Sequence, residues 1–185
     1  MSRTRHIPPP ARHPLVWLTA VAVVSGLVAI GAGSATGGVG ASATLAPVTR
    51  HSGCRLRGAL PDPGCTPGAR FTRTTPAAIC RPGYAGSVRN VPRSEKDLVY
   101  REYGIVRHFN GANGELDHLV SLELGGSNAA ANLFPEAAAP RPASHEKDRL
   151  ENALHDELCA GRLGLPQAQR LIATDWVGAY RARFG

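Results

Sequence analysis

Proline and glycine limit where this chain of 185 residues can form regular secondary structure. Residues 51–93 contain dense clusters of both residues, at 60–64, 66–68 and 81–83. Such clusters interrupt helical and strand periodicity alike. Residues 33–49 are rich in Gly, Ala, Ser and Thr and carry no charge, which is typical of a flexible linker. We therefore expect regular elements mainly from residue 94 onward.

From Ser94 onward the pattern predicts helices and one strand. Ser94 is placed to begin a short helix over residues 96–103. Residues 115–124 alternate apolar and polar side chains, which predicts a strand, and Gly125-Gly126 predicts the turn that ends it. Apolar residues at helical spacing predict two further helices, over 144–159 and 165–180. The predicted fold class is α+β.

The N-terminal region has the layout of an export signal. Residues 15–32 are apolar apart from Thr19 and Ser25, and they follow an arginine-bearing N-terminus. Their length is also near the ~20 residues that span a bilayer, so an uncleaved anchor is the alternative. Ala41-Ser42-Ala43 offers a cleavage site, and we favour cleavage. Residues 1–43 would contact the membrane during export or as an anchor, and the rest of the chain would be secreted or otherwise extracytoplasmic.

The four cysteines, Cys54, Cys65, Cys80 and Cys159, are interpreted in that oxidising setting as two disulfides. No Cys-x-x-Cys pair occurs, which weakens a zinc interpretation. Four cysteines allow three pairings, of which we favour Cys54 with Cys65 and Cys80 with Cys159. The second bridge would tie the Pro-rich segment to the long helix.

The net charge of +7 is unevenly distributed. Residues 50–93 carry eight arginines against the single acid Asp62, whereas residues 94–185 carry ten basic and thirteen acidic side chains. The basic stretch could track nucleic-acid phosphates, or it could be a solvated linker, and charge alone favours the linker. We therefore divide the chain into the export segment, a flexible and basic segment over 44–93, and a functional domain over 94–185.

The residues that suggest chemistry are Asp117-His118 on the predicted strand, Asn132 fourteen positions after the histidine, and His145 at the start of a helix. Hydrolysis of a phosphodiester needs a base that deprotonates water and a cation that stabilises the developing charge. Histidine suits the first task, and carboxylate and imidazole ligands suit the second. A histidine among leucines can also be purely structural. Lys147, Asp148 and Glu151 are interpreted as a solvated, salt-bridged helix face.

The motif Asp117-His118-Leu119-Val120, with Gly125-Gly126 and Asn132-Leu133, resembles the ββα-metal core of HNH endonucleases. From Leu60 onward the chain is similar to small secreted bacterial HNH-like proteins, and this wider resemblance rests on residues 60–69, 80–84, 117–128 and 147–152. The resemblance implies a ββα-metal core with additional helices and a disulfide-stapled, Pro/Gly-rich N-terminal segment. The usual Cys-x-x-Cys-His context of the family is missing.

The same resemblance implies a role for each site residue. Asp117 would be a metal ligand, and His118 would be the general base that activates water. Asn132 would hold the loop of the base by hydrogen bonds to the backbone. His145 would complete a divalent metal site for Mg²⁺, Mn²⁺, Ni²⁺ or Zn²⁺. Two residues of the same helix, Asn152 and His155, are rivals for this last position.

The expected function is that of an exported, metal-dependent endonuclease acting on DNA or RNA as a monomer. The main alternative is a non-catalytic secreted or surface-anchored module that retains the HNH-like scaffold. An antibacterial toxin domain is a third possibility. Cleavage assays with a divalent cation, and then with EDTA, separate the first two.

Overall fold

The computed structural model describes residues 40–106, 109 and 113–185. The predicted signal or anchor at residues 15–32 lies outside these ranges. No helix of the described ranges is long and apolar enough to cross a membrane. The described residues all belong to one compact unit, Gly37–Gly185, so the boundary predicted between residues 93 and 94 does not separate two units.

Short elements alternate along the chain. The strands are β1 (Ser42–Thr44), β2 (Ala69–Phe71), β3 (Gly114–His118) and β4 (Leu133–Ala137). The helices are α1 (Pro76–Ile79), α2 (Tyr84–Val88), α3 (Arg93–Glu102), α4 (Ser144–Cys159) and α5 (Leu165–Phe184). The strands form two antiparallel pairs, β1 with β2 and β3 with β4. The chain is therefore α+β, as the sequence predicts.

The strand predicted over residues 115–124 ends earlier, at His118. Leu122–Leu124 instead form a turn of 3₁₀ helix, in which the backbone N–H of Leu124 donates to the Ser121 carbonyl. Leu119, Val120, Leu122 and Leu124 are all buried. Because these residues are enclosed on every side, their hydrophobicity did not distinguish a strand from a tight turn.

Helices α4 and α5 pack together and supply much of the core. The Glu146 carboxylate accepts a hydrogen bond from the Ala143 N–H at the start of α4, which pairs a backbone donor that would otherwise lack a partner. Leu150, Leu154 and Leu158 of α4 lie in one buried cluster with Ile172 and Trp176 of α5. Their spacing of four residues places the three leucines on one helix face.

Residues 44–93 pack into the same unit instead of forming a flexible linker. Ala69, Phe71 and Ile79 of this segment are buried. The side chain of buried Asp62 accepts hydrogen bonds from the backbone N–H groups of Arg55 and Gly64, which fixes a loop too rich in proline for regular structure. Composition alone suggested a linker because it carries no information on such tertiary pairing.

Two disulfides join this segment internally and to α4. Cys54 is bonded to Cys65, and Cys80 is bonded to Cys159. Both pairings agree with those favoured from the sequence. The bonds indicate an oxidising, extracellular environment for the described part of the chain.

Candidate catalytic site

The end of β3 and the first half of α4 meet at the proposed site. Asp117 and His118 are the last two residues of β3 and pair in register with Phe134 and Leu133 of β4. The Lys147 Nζ of α4 donates to the Asp117 Oδ2 and, at 2.8 Å, to the His118 carbonyl. Strand and helix are thus joined through the backbone and the side chain of the two residues that the sequence singled out.

The His118 ring is held in one orientation by Asn128. His118 Nε2 lies 3.1 Å from the Asn128 Oδ1, while the Asn128 Nδ2 donates to the Val88 carbonyl at 2.8 Å. Because that second bond requires the NH₂ group to face Val88, the oxygen faces His118 and accepts. His118 therefore carries its hydrogen on Nε2, and Nδ1 is the nitrogen whose lone pair can take a proton.

The protonation of His118 suits a base. The imidazole is only 3% exposed, and this burial lowers its pKa below the usual value of 6.5. The neighbouring Asp117 opposes the shift, whereas the Arg89 guanidinium adds to it. The ring is consequently neutral at pH 7, which is the form that accepts a proton.

Asn132 fixes the loop between β3 and β4. It is fully buried, and its Oδ1 accepts from the backbone N–H groups of Ala69 at 3.1 Å and Val120 at 2.9 Å. Its Nδ2 donates to the carbonyls of Val120 at 2.9 Å and Ser127 at 2.8 Å. All four hydrogen-bonding positions of the amide are therefore paired with backbone, on both sides of the loop that carries Asn128.

Behind His118 lies a buried ammonium between two carboxyls, with a third carboxyl, that of Glu136, nearby. Lys147 is 0% exposed and donates to the Glu151 Oε1 as well as to Asp117. Burial acts to raise the pKa of Asp117, but the Lys147 ammonium outweighs it and holds that pKa below its usual value. Burial raises the pKa of Glu136 to about 9 and that of Glu151 to about 8. The group is thus an Asp117–Lys147 ion pair beside two glutamic acids whose pKa values burial raises.

The interpretation of Lys147 and Glu151 as part of a solvated face is wrong, because both are buried. A lysine and a glutamate four residues apart are typical of an exposed helix surface. Here the hairpin covers them, with carboxyls from β3 and β4 that are distant in the sequence. Asp148 alone among the three is exposed.

The structure does not bring His145 to Asp117. Successive helical residues are rotated by about 100°, so His145 projects about 200° away from Lys147, while Glu151 projects within about 40° of it. His145 is exposed. Since Lys147 already occupies the Asp117 Oδ2, the pair Asp117 and His145 does not fit a shared divalent cation. The sequence did not predict this, because the proline-rich residues before α4 do not indicate how the helix is rotated on the hairpin of β3 and β4.

The two rivals for that position make other contacts. The Asn152 Nδ2 donates to the Asp148 carbonyl within α4. His155 Nε2 lies 3.5 Å from the Cys159 Sγ. Ligand atoms of Cys80, His155 and Cys159 lie within 4.8 Å of one another and form a possible metal site. Because the two sulfurs are joined in a disulfide, only the reduced protein could use this site.

Two clefts open beside the site and share Arg89. One, of about 310 Å³, is lined by His118 together with the exposed side chains of Arg89 and Lys96. The other, of about 240 Å³, is lined by Arg89 together with the acids Asp148 and Glu151 and other residues. The first cleft therefore combines two cations with a neutral histidine, an arrangement that can hold a phosphate next to a proton acceptor.

Arg89, Asn128 and Lys147 were not assigned roles from the sequence. Asn128 stood in the motif Gly125-Gly126-Ser127-Asn128, where a polar residue after two glycines is explained by a turn. Arg89 was one of eight arginines in the basic stretch, and nothing local set it apart. Comparison of the chain with known protein families, curated proteins and solved structures gives no match.

Proposed function

We propose that this protein is an exported endonuclease that hydrolyses phosphodiester bonds of nucleic acid with His118 as the general base, as its resemblance to HNH endonucleases implies. The observation that carries the proposal is the pairing of His118 with Asn128, which leaves Nδ1 as the proton acceptor of a histidine that lines a cleft together with two cations. The order of strand, loop, strand and helix around the site also supports it.

The described residues suggest a separate role for each polar side chain at the cleft. Arg89 and Lys96 hold the anionic phosphate against the cleft by charge-assisted hydrogen bonds. His118 Nδ1 takes a proton from a water molecule as the water oxygen attacks phosphorus. The bond to the leaving oxygen then breaks, and that oxygen takes a proton from solvent. Asn132 is a positioning residue, since it holds the loop that carries Asn128. No step is routed through a divalent ion, because the predicted ligands do not fit one.

Several features from the sequence belong to this proposal. Residues 15–32 would direct export or anchor the chain in a membrane, and the two disulfides support an extracytoplasmic location. The substrate would be DNA or RNA, and the protein would act as a monomer. Dependence on Mg²⁺, Mn²⁺, Ni²⁺ or Zn²⁺ remains an expectation of the family resemblance alone.

One observation favours the second candidate, a non-catalytic module on the same scaffold. Lys147 neutralises Asp117, the carboxylate that the resemblance assigns to a metal. A module that had lost catalysis would keep such an ion pair for its contribution to structure. Such a module would not require a neutral histidine that is held in one orientation at an open cleft, and this feature favours the enzyme.

The decisive experiment incubates the purified protein with plasmid DNA and with RNA, each with one of the four cations or with EDTA. We expect cleavage that His118→Ala lowers by roughly 10²–10⁴-fold, because the general base is lost. His145→Ala is the matched control and should cleave normally, since its side chain faces away from Asp117. Folded His118→Ala with full activity would remove the assigned base. Absence of cleavage under every condition would favour the non-catalytic module.

A further inference from the structure

We propose that the ammonium of Lys147 is the resident cation of this site, and that it occupies the space between Asp117, Glu151 and the His118 carbonyl where a divalent metal ion would otherwise bind. The native protein consequently holds no divalent ion at Asp117. Lys147 would keep this place whichever substrate the neighbouring cleft takes.

The contacts of Lys147 are complete. An ammonium has three donors, and here they meet the Asp117 Oδ2, the Glu151 Oε1 and the His118 carbonyl. The side chain is fully buried, and its Nζ lies 5.9 Å from the centre of the Phe134 ring. A lysine held in this way does not swing out to solvent without leaving buried carboxyls unpaired.

Glu136 provides an independent observation. It is 2% exposed, and its Oε1 has no hydrogen-bond partner among the described residues. It interacts electrostatically with both Lys147 and Asp117. A buried carboxyl oxygen without a donor is costly in a folded protein, so its presence beside Asp117 and Glu151 requires a reason. With the ammonium removed, this carboxyl beside Asp117 would be available to an ion in its place.

The donor set is one that suits a hard divalent ion. Carboxyls from β3 and α4 and the His118 carbonyl meet at the Lys147 Nζ, and such oxygens are the preferred ligands of Mg²⁺, Mn²⁺ and Ca²⁺. A divalent ion at the same point would be repelled by the ammonium, which already takes one oxygen of Asp117 and one of Glu151. Removing the ammonium should therefore create a metal site from residues that are already in place.

The test measures Mn²⁺ binding by electron paramagnetic resonance and by thermal unfolding, and does not depend on any activity. We expect the native protein to bind no stoichiometric Mn²⁺ and to show no shift in Tm. Lys147→Ala should bind one Mn²⁺ per chain and gain stability as Mn²⁺ is added. The double variant Lys147→Ala with Asp117→Asn should bind at least about tenfold more weakly. Arg162→Ala removes an exposed cation instead, and should bind no stoichiometric Mn²⁺ and show no shift in Tm, as the native protein does.

Lys147→Met provides a second variant, because it keeps an unbranched apolar stem while removing the charge. If either variant is unfolded without metal, Mn²⁺ should restore its fold, since the ion then replaces the missing charge. One Mn²⁺ bound by the native protein and lost in Asp117→Asn would overturn the assignment. So would two Lys147 variants that neither bind Mn²⁺ nor recover their fold in its presence.

Discussion

Replacement of Asn132 by alanine should be among the most destabilising single changes in this chain. The side chain is fully buried and makes four hydrogen bonds, to the backbone of Ala69, Val120 and Ser127. Asn132→Ala leaves two N–H groups and two carbonyls without these partners. A buried unpaired group costs about 1–3 kcal/mol. Water entering the vacated volume would pair some of the four, so we expect a total loss of roughly 3–5 kcal/mol in the free energy of unfolding.

The assay is urea unfolding of the purified native and variant proteins with both disulfides intact. The free energies of unfolding are compared with the same slope against urea concentration for all of them. Asn152→Ala is the matched control, because Asn152 is exposed and its side chain makes one bond within α4. It should change the free energy of unfolding by less than about 0.5 kcal/mol. A loss below about 1.5 kcal/mol for Asn132→Ala would mean that solvent replaces the bonds, and that Asn132 does not hold the loop.

Four further outcomes are expected. Removing the Cys80–Cys159 bridge, which closes a loop of 79 residues, should lower the free energy of unfolding by about 4.5 kcal/mol through chain entropy. Removing the Cys54–Cys65 bridge, which closes 11 residues, should lower it by about 3 kcal/mol. Equal losses in thermal unfolding of the two double-alanine variants would contradict this. Gly126→Ala should destabilise the protein by more than about 3 kcal/mol, because a Cβ there would lie 1.7 Å from the Val120 carbonyl oxygen. Gly86→Ala is the control, since a Cβ there would meet no atom within 4 Å, and it should not destabilise the protein in the same unfolding assay. Burial alone would raise the pKa of Asp62, but backbone N–H groups and Arg50 hold it below its usual 3.8. Its contribution is therefore present above the usual pKa and lost as the pH falls through the folded pKa. Asp62→Asn should cost about 1–3 kcal/mol at pH 7 and progressively less as the pH falls through the folded pKa, and a pH-independent loss would refute the linkage. Nitrogen NMR should find the His118 hydrogen on Nε2 in the native protein and a mixture of tautomers in Asn128→Ala, and a native Nδ1–H form would contradict the assigned base.

The sequence predicted what depends on local pattern and on the pairing of cysteines. The helices near residues 96–103, 144–159 and 165–180 follow from apolar spacing, and the structure has α3, α4 and α5 there. The cysteine pairing was correct because four cysteines leave few choices once an oxidising compartment is inferred. The catalytic roles of His118 and Asn132 stay predictions, although the structure places His118 at the end of β3 and Asn132 directly before β4.

What the sequence could not supply was the rotation of α4 on the hairpin. His145 and Lys147 are two residues apart, and only packing decides which of them faces Asp117. The burial of Lys147 depends on Asp117 and Glu136, which lie 30 and 11 positions earlier in the chain. The order in residues 44–93 likewise depends on contacts across the fold, such as that of the Ala69 N–H with Asn132. Neither kind of information is contained in local composition.

The hydrogen bond from Asn128 to the Val88 carbonyl has a consequence for shortened forms of this chain. A fragment that begins at residue 94 would keep Asp117, His118 and Asn132, and it would match the motif in full. It would lack Val88, however, and the Asn128 amide could then turn over and present its NH₂ group to the imidazole, which would reverse the tautomer. The proline-rich segment therefore sets the tautomer of the His118 imidazole, through a residue that lies 40 positions before Asn128 in the chain.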